Sequence, residues 1–403
     1  MDPEKNDGGV GPHDLIPRLK DEGYDADRVA RRREWIEKRT GAKLAHSAQC
    51  SFDTELTRGN IENPIGVAQI PLGVTGPVLV EGQYAKGLFY VPMATTEGAL
   101  VRSYERGMMA LTRAGGVHAT VLEDENQTAP TFFFKDVAAA RGFAAWIEEH
   151  FGEVKREAET TTSHGKLLRV KCYQLGRQVI VNFGFSTADA QGMNMIVKAT
   201  DAACQWIEKQ YSSKKSGVTY FLFSGMCSEK RASGFLMTRG KGKRVTAGAL
   251  LTHKVLKMYL HTSADALFRV WQSTLLGHLS AGAYGYNAHA ANGLTAIFIA
   301  TGQDVANVVN SSLAITCFEP HPDGLYVSTT LPALSVATVG GGTGLPTQRE
   351  ALEIMGCRGT GKAKKFAEII AATILGGEIS MGGAIASGEF VGAHERYGRN
   401  RPK

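Results

Sequence analysis

The chain has 403 residues, enough for two or three domains or for one large core with an inserted module. Its 43% hydrophobic and 21% charged content is that of an ordinary soluble globular protein. The basic residues behind the net charge of +6 are scattered, apart from Arg31–Arg33 and Lys362–Lys365, with no aromatic-interleaved stripe; nucleic-acid binding is poorly supported, and an anion-liking site for phosphates or carboxylates fits equally well. The six cysteines (Cys50, Cys172, Cys204, Cys227, Cys317, Cys357) form no CxxC pair, which excludes a zinc cluster or disulfide framework and suits a reducing, cytoplasmic setting.

Residues 1 to about 12 read as a disordered, polar tail that is not a signal peptide. A helical pattern follows over 14–43, with Leu15, Leu19, Val29 and Trp35 among many charges. ENPIG, PLG and TGP then mark loops and short strands. Thr95–Thr96 cap a predicted helix in which Leu100, Val101, Tyr104, Met108 and Leu111 keep helical spacing, with Glu97 in its first turn. On its own, that carboxylate is explained by the helix dipole.

The middle of the chain reads strand (131–137), helix (with Phe143, Trp146, Ile147), strand (168–172), strand (179–183), helix (Met193 to Ile207), strand (218–224). This β-α-β-β-α-β order is that of a ferredoxin-like module. The fold class expected is therefore α+β: a tail and helical segment over 1–44, a large domain over 45–121 and 223–403, and the inserted module over 122–222. Further on, a long apolar helix includes Ala288–Ala300, and strands are expected near 314–317 and 324–330. The apolar stretch from Phe366 to Ile385 contains Glu368, Glu378 and several glycines, too many interruptions for a membrane span.

Five stretches carry chemistry. GCRGTGKA (Gly356–Ala363) falls one residue short of a P-loop, since Ala363 stands where a magnesium-binding hydroxyl belongs and a helical segment precedes it; it reads as a helix–loop–helix junction. ATVGGGTG implies close approach of backbone to a ligand or to a packed neighbour. DAQGMNM (Asp189–Met195) opens a helix, where free N–H groups suit an anionic cofactor or Asp189 acts as a cap. TTSHGK offers hydroxyls and a cation for a phosphate, or makes a turn. NAHAAN…TGQD sets Asn287, His289 and Asn292 at one end of an apolar helix and Asp304 beyond the other. Lys230, in SGMCSEKRASGF, taken alone is a solvated loop lysine, and His394 alone is a histidine in a frayed tail.

Together, ENPIGVAQIPLGVTGP, MATTEGALV, DAQGMNM, NAHAAN…TGQD, TVGGGT and the terminal histidine resemble the 3-hydroxy-3-methylglutaryl-coenzyme A (HMG-CoA) reductase family, in the family's order from about residue 62 to 400. The resemblance implies a large domain around a central helix, an inserted cofactor domain, and an obligate homodimer, or a tetramer of such dimers, with shared active sites. It implies a two-step reduction of an acyl-CoA by NADPH, in preference to NADH and with no metal, giving mevalonate for isoprenoid synthesis.

Residue by residue, the catalytic positions fall on Glu97, Lys230, Asp304 and His394. The cofactor positions fall on Asp189, Met193, Asn194 and Gly340, Gly341 and Gly342, with Ser163 and Lys166 for a 2′-phosphate. Substrate and CoA positions fall on Glu62, Asn63, Arg106, Ser224, Arg231, His289 and Asn292. The sequence departs from the pattern where a carboxylate-gripping arginine falls on Thr120 and a lysine on Gln272. The alternatives are the same chemistry on another acyl-thioester, or a non-catalytic CoA- or nucleotide-binding homologue.

Overall fold

The computed structural model describes residues 15–17, 23–214 and 218–397, and of residues 213, 214, 393, 394 and 397 the backbone alone. The expected tail over residues 1–12 lies outside the described residues. The chain divides into two compact units, one comprising residues 1–71 with 344–346 and the other the remainder.

In the first unit, α1 (Ala26–Thr40) starts at Asp25, whose side chain accepts from the Arg28 amide, and stops at left-handed Gly41. Of the helical pattern expected over 14–43, residues 14 and 18–22 lie outside the described residues, and residues 15–17, 23–25 and 41–43 are not helical. Arg32 is buried and donates to the carbonyls of Gly23 and Pro64, fastening the loops to the helix. Glu62 and Asn63 belong to this unit; both are exposed, and Asn63 has φ 49°.

The second unit opens with the hairpin β1 (Leu72–Gly82) and β2 (Lys86–Ala94), then α2 (Leu100–Arg113) and the long strand β3 (Val117–Thr128). The predicted helix cap at Thr95–Thr96 is not used. Ala99 takes φ 71°, which no α-helix admits, so the helix begins at Leu100 and Glu97 lies in the loop before it.

Next come β4 (Thr131–Phe133), α3 (Val137–Glu149), α4 (Phe151–Glu159), β5 (Lys166–Leu175), β6 (Gln178–Ser186), α5 (Met193–Lys214) and β7 (Thr219–Phe221). The strand expected over 131–137 stops after three residues, because Asp136 caps α3 through the Ala139 amide. These strands pair antiparallel in the order β7-β4-β6-β5, with Phe132, Phe143, Phe183, Ile196, Cys204 and Ile207 buried between sheet and helices. The helical spacing read in α5 is thus a core stripe, except that Val197 is exposed.

β3 runs unbroken through position 122. Its first part pairs with β8 (Gly242–Thr252) and its last residues, from Asn126, pair with β6. The acidic run Glu123–Asp124–Glu125 meets a cation at each position: Arg244, Lys243 and Arg169 respectively. β8 continues the sheet to β10 (Gly324–Leu334) and β9 (Ile315–His321).

The helices of this half are α6 (Gly234–Arg239), α7 (His253–Tyr259), α8 (Ala264–Ser280), α9 (Ala290–Thr301), α10 (Val308–Ser311), α11 (Pro346–Ile354), α12 (Ala363–Ser387) and α13 (Phe390–Tyr397). α12 is one continuous 25-residue helix despite its glycines, and is buried along most of its length. By length and composition it would cross a membrane, but here it is the core helix.

The glycines explain its position. A Cβ on Gly107 of α2 would run into the Gly376 carbonyl, and one on Gly377 would meet the Tyr104 ring, so the two helices touch through backbone. Its two acids are buried and saturated. Glu368 accepts from the amides of Gln83 (3.1 Å), Tyr84 (2.8 Å) and Ala85 (2.7 Å), closing the β1–β2 turn. Glu378 accepts from the amides of Ala288 (2.9 Å) and His289 (2.6 Å) and from the Thr316 hydroxyl (3.2 Å).

Candidate active site

The segment from Ser224 to Ser233 is a loop between β7 and α6 in which two non-glycine residues, Ser228 (φ 49°) and Lys230 (φ 56°), are left-handed. Such conformations cost about 1–3 kcal/mol each and persist only where surroundings enforce them. Here the Arg231 amide donates to the Ser228 carbonyl, and the Ser233 hydroxyl, which also caps α6, bonds the Ser228 hydroxyl at 2.9 Å. The ammonium of Lys230 then lies 2.7 Å from Asp304 Oδ2. Asp304 is itself held, because Oδ1 accepts from the Ala306 amide at 3.1 Å. The pair is well short of buried, with side-chain exposures of 44% and 39%, so a ligand can reach the ammonium. A charge poised this way is suited to an oxyanion.

Asp304 owes its place to the end of α9, where left-handed Gly302 turns the chain. A Cβ on Gly302 would collide with the Gly342 carbonyl, so this turn and the glycine loop touch through backbone. Gly340 (φ 84°) and Gly341 (φ 54°) have open space where a Cβ would stand, which leaves their backbone accessible to a ligand.

At the other end of α9, Asn292 Nδ2 donates to both carboxylate oxygens of Glu97, at 3.3 and 3.4 Å. His289 is buried before the first turn, its ring stacked on Tyr104 with centroids 4.8 Å apart. The Tyr104 hydroxyl donates to the His289 carbonyl at 2.7 Å, and burial together with Glu378 pushes that phenol well above its ordinary range. Burial also raises the Glu378 carboxyl.

A cavity of about 760 Å³ opens beside Glu97. Arg102, Arg106, His261, Asn292 and Met381 contribute to its wall, as does α13 through Phe390, Gly392 and Arg396. Arg106 is engaged there: it donates to the Ser380 hydroxyl (3.0 Å) and carbonyl (2.6 Å) and to Glu389 (3.2 Å). His394 lies on α13, but its side chain is outside the described residues.

The expected catalytic residues therefore form two groups. Lys230 with Asp304 lies beyond the C-terminal end of α9, whereas Glu97, in the loop before α2, is held by Asn292 in the first turn of α9. Twelve residues separate Asn292 from Asp304, a span of roughly 18 Å at helical rise. Among the described residues no recorded hydrogen bond or ion pair joins the groups.

The cofactor expectations divide similarly. A Cβ on Gly165 would meet the Met195 side chain, so the TTSHGK turn and the start of α5 are neighbours. Ser163 bonds His164 Nδ1 (2.9 Å), and Lys166 is shared with Glu159 (3.4 Å). Asn194 is exposed at the start of α5. Asp189 instead caps α12, accepting from Gly361 (2.7 Å) and Ala363 (3.0 Å), while its carbonyl accepts from Thr338. The P-loop-like segment is indeed a helix–loop–helix junction, and the anion at its helix start is the Asp189 carboxylate.

Ser224 donates to the Ala129 carbonyl at 2.6 Å. Arg231 is exposed beside Lys230, over the Phe223 ring. Thr120 pairs with Thr246 in the sheet, Gln272 stands on α8, and both are exposed.

One residue was missed. Nothing in RGKGKR singles out Lys241, yet its side chain is 0% exposed. Its Nζ bonds Asn126 Oδ1 (2.7 Å) and the Gln127 carbonyl (2.9 Å). It lies 2.8 Å from Glu229 Oε2, a direct charge contact off the hydrogen-bonding direction. Only the partners, distant in sequence, reveal its burial.

Comparison with known proteins shows the family of the chain. Residues 28–399 match the family model described as hydroxymethylglutaryl-coenzyme A reductase. The chain is 44% identical over 374 residues to the 3-hydroxy-3-methylglutaryl-coenzyme A reductase of Methanocaldococcus jannaschii, covering 91% of this chain and 92% of that one. It is 45% identical over 378 residues to that of Pyrococcus horikoshii, with 91% of each covered. Among solved structures, the 3-hydroxy-3-methylglutaryl-coenzyme A reductase of Streptococcus pneumoniae superposes with a TM-score of 0.66 at 20% identity, covering 88% of this chain and 96% of that one. A related Streptococcus pneumoniae structure is described as bound to NADPH.

Proposed function

This chain belongs to the hydroxymethylglutaryl-coenzyme A reductase family, and on that premise we propose that it reduces HMG-CoA to mevalonate and coenzyme A with two NADPH, in the mevalonate route to isoprenoids. The observation that carries the chemistry is the Lys230–Asp304 pair, a fixed and reachable ammonium on a strained loop. A cation there stabilises the negative charge that develops on the thioester oxygen in the first reduction and on the aldehyde oxygen in the second. Asp304 keeps that cation oriented. Glu97, held by Asn292, is the proton donor to the second alkoxide, and His394 the donor to the departing thiolate.

The residues present fit a dinucleotide: Gly340 and Gly341 offer open backbone, and Asn194 stands exposed at the start of α5. When bound, the reduced cofactor supplies the hydride. Ser163 and Lys166 are the residues for a 2′-phosphate, where Lys166 has to give up part of its pairing with Glu159. Domain limits at about 122–222 for this module, and a cytoplasmic location, complete the proposal.

The active enzyme is a homodimer. Reacting groups must come within about 3.5 Å of one another, whereas the two catalytic groups of one chain lie at opposite ends of α9. The Lys230–Asp304 group of one copy meeting the Glu97–Asn292 group of the other completes a site, twice over in a symmetric pair.

The test is to follow NADPH absorbance with HMG-CoA, with NADH and other acyl-CoA thioesters as comparisons. The proposal expects NADPH oxidation at two equivalents per mevalonate. Oxidation with another acyl-CoA but none with HMG-CoA would overturn the substrate, and the uncharged Thr120 and Gln272 make that comparison pointed.

A further inference from the structure

We propose that Lys241 is a positioning residue that locks the lysine loop to the start of α5, so that the oxyanion cation and the hydride donor are held in register. This inference rests on the proposed reduction. Lys241 immediately precedes β8, and its ammonium has three oxygen neighbours, Asn126 Oδ1, the Gln127 carbonyl and Glu229 Oε2, with Met193 Sδ at 3.7 Å. Glu229 leads to the lysine loop, and Asn126 and Met193 lead to the start of α5.

Glu229 immediately precedes Lys230, and its side chain turns inward to Lys241 while Lys230 turns to Asp304. Asn126 donates through Nδ2 to the Gln191 carbonyl at 2.6 Å, and Gln191 Nε2 reaches Glu229 Oε1 at 3.4 Å. Met193 is the first residue of α5. The ammonium, Asn126, Gln191 and Glu229 thus form a closed ring of polar contacts between DAQGMNM and the lysine loop. A fully desolvated lysine is costly to bury, and a simple solvated turn would have served for chain reversal. Among the described residues no hydrogen bond or ion pair joins the Lys241 and Lys230 ammonium groups, so the influence of Lys241 on chemistry passes through Glu229 and the position of the loop.

The experiment uses the full-length protein with Lys241→Met and with Lys241→Met/Glu229→Gln. The single variant leaves Glu229 buried without its cation and is expected to lose stability. The double variant buries no unpaired charge, so it carries the test even where the single variant does not fold. In the double variant the thermal midpoint recovers, yet kcat stays about 100-fold below wild type while KM for HMG-CoA stays within about threefold, the pattern of misplaced reacting groups.

Hydrogen exchange is the second readout and needs no turnover: residues 189–195 and 225–233 both exchange faster, with the buried middle of α12, residues 369–380, unchanged. A double variant with wild-type kcat, or with unaltered exchange in both segments, overturns the proposal. Wild-type protein inactive on HMG-CoA would instead sink the proposed function and leave the exchange result to be read on its own.

Discussion

Replacing Asp304 with asparagine separates stability from chemistry. Asparagine keeps an oxygen for the Ala306 amide, and Asp and Asn are nearly equivalent as caps, so the local turn survives. What is lost is the 2.7 Å ion pair with Lys230. At about 4 Å between charge centres such a pair is worth roughly 1 kcal/mol in water and 4 kcal/mol in a partly shielded site. With both side chains about 40% exposed, the contribution to folding belongs at the low end, under about 1 kcal/mol. The catalytic effect is larger, because Lys230 loses the group that aims it and faces an amide N–H instead. Misplacing one oxyanion donor costs about 100- to 1,000-fold in kcat. Urea midpoints and NADPH oxidation rates, measured on the same preparations, check both halves. A kcat within tenfold of wild type, or a stability loss of several kcal/mol, would refute the reasoning.

Gly302→Ala should be among the most damaging small changes near the site, since the new Cβ meets the Gly342 carbonyl and the residue must keep φ 69°. Overpacking alone costs about 1–3 kcal/mol, and displacement of the glycine loop should raise the KM for NADPH; unchanged melting and KM would contradict the close approach. Glu378→Gln tests the buried acid. Burial raises the Glu378 carboxyl above its ordinary 4.5, so the folded state holds a proton that the unfolded chain releases. Stability from that proton is fully present below pH 4.5 and is lost as pH rises through the folded value. Wild-type stability should therefore fall relative to the Gln variant over that window in urea titrations; a constant or rising difference would contradict it.

What the sequence made legible was periodic. The stripe of Ile196, Thr200, Cys204 and Ile207 announced the buried face of α5, and the alternation at Val179, Val181 and Phe183 announced β6. What stayed hidden depended on backbone or on distant partners. Nothing in the residue type of Ala99 signals a left-handed turn, yet that turn moves Glu97 out of α2. Glu368 and Glu378 read as interruptions of an apolar segment, whereas each is satisfied by backbone amides some 90 to 285 residues away. Lys241 hid among glycines and basic residues because its partners, Asn126 and Gln127, lie 115 and 114 residues off on a neighbouring strand. Asp189 read as a cap of the helix it precedes or as a cofactor residue, whereas in this structure its carboxylate accepts from the Gly361 and Ala363 amides at the start of α12, which no local pattern announces.

The division of catalytic groups between two copies is tested by subunit mixing. Glu97→Ala and Lys230→Ala proteins, each inactive alone, are denatured together in equal amounts and refolded. Random pairing makes half the dimers mixed, and each mixed dimer regains one intact site of two, so activity should return to about a quarter of wild type. If Glu97 and Lys230 of the same chain act together, every site in every mixed dimer carries a lesion. Recovery near zero in a preparation shown to contain mixed dimers would contradict the account.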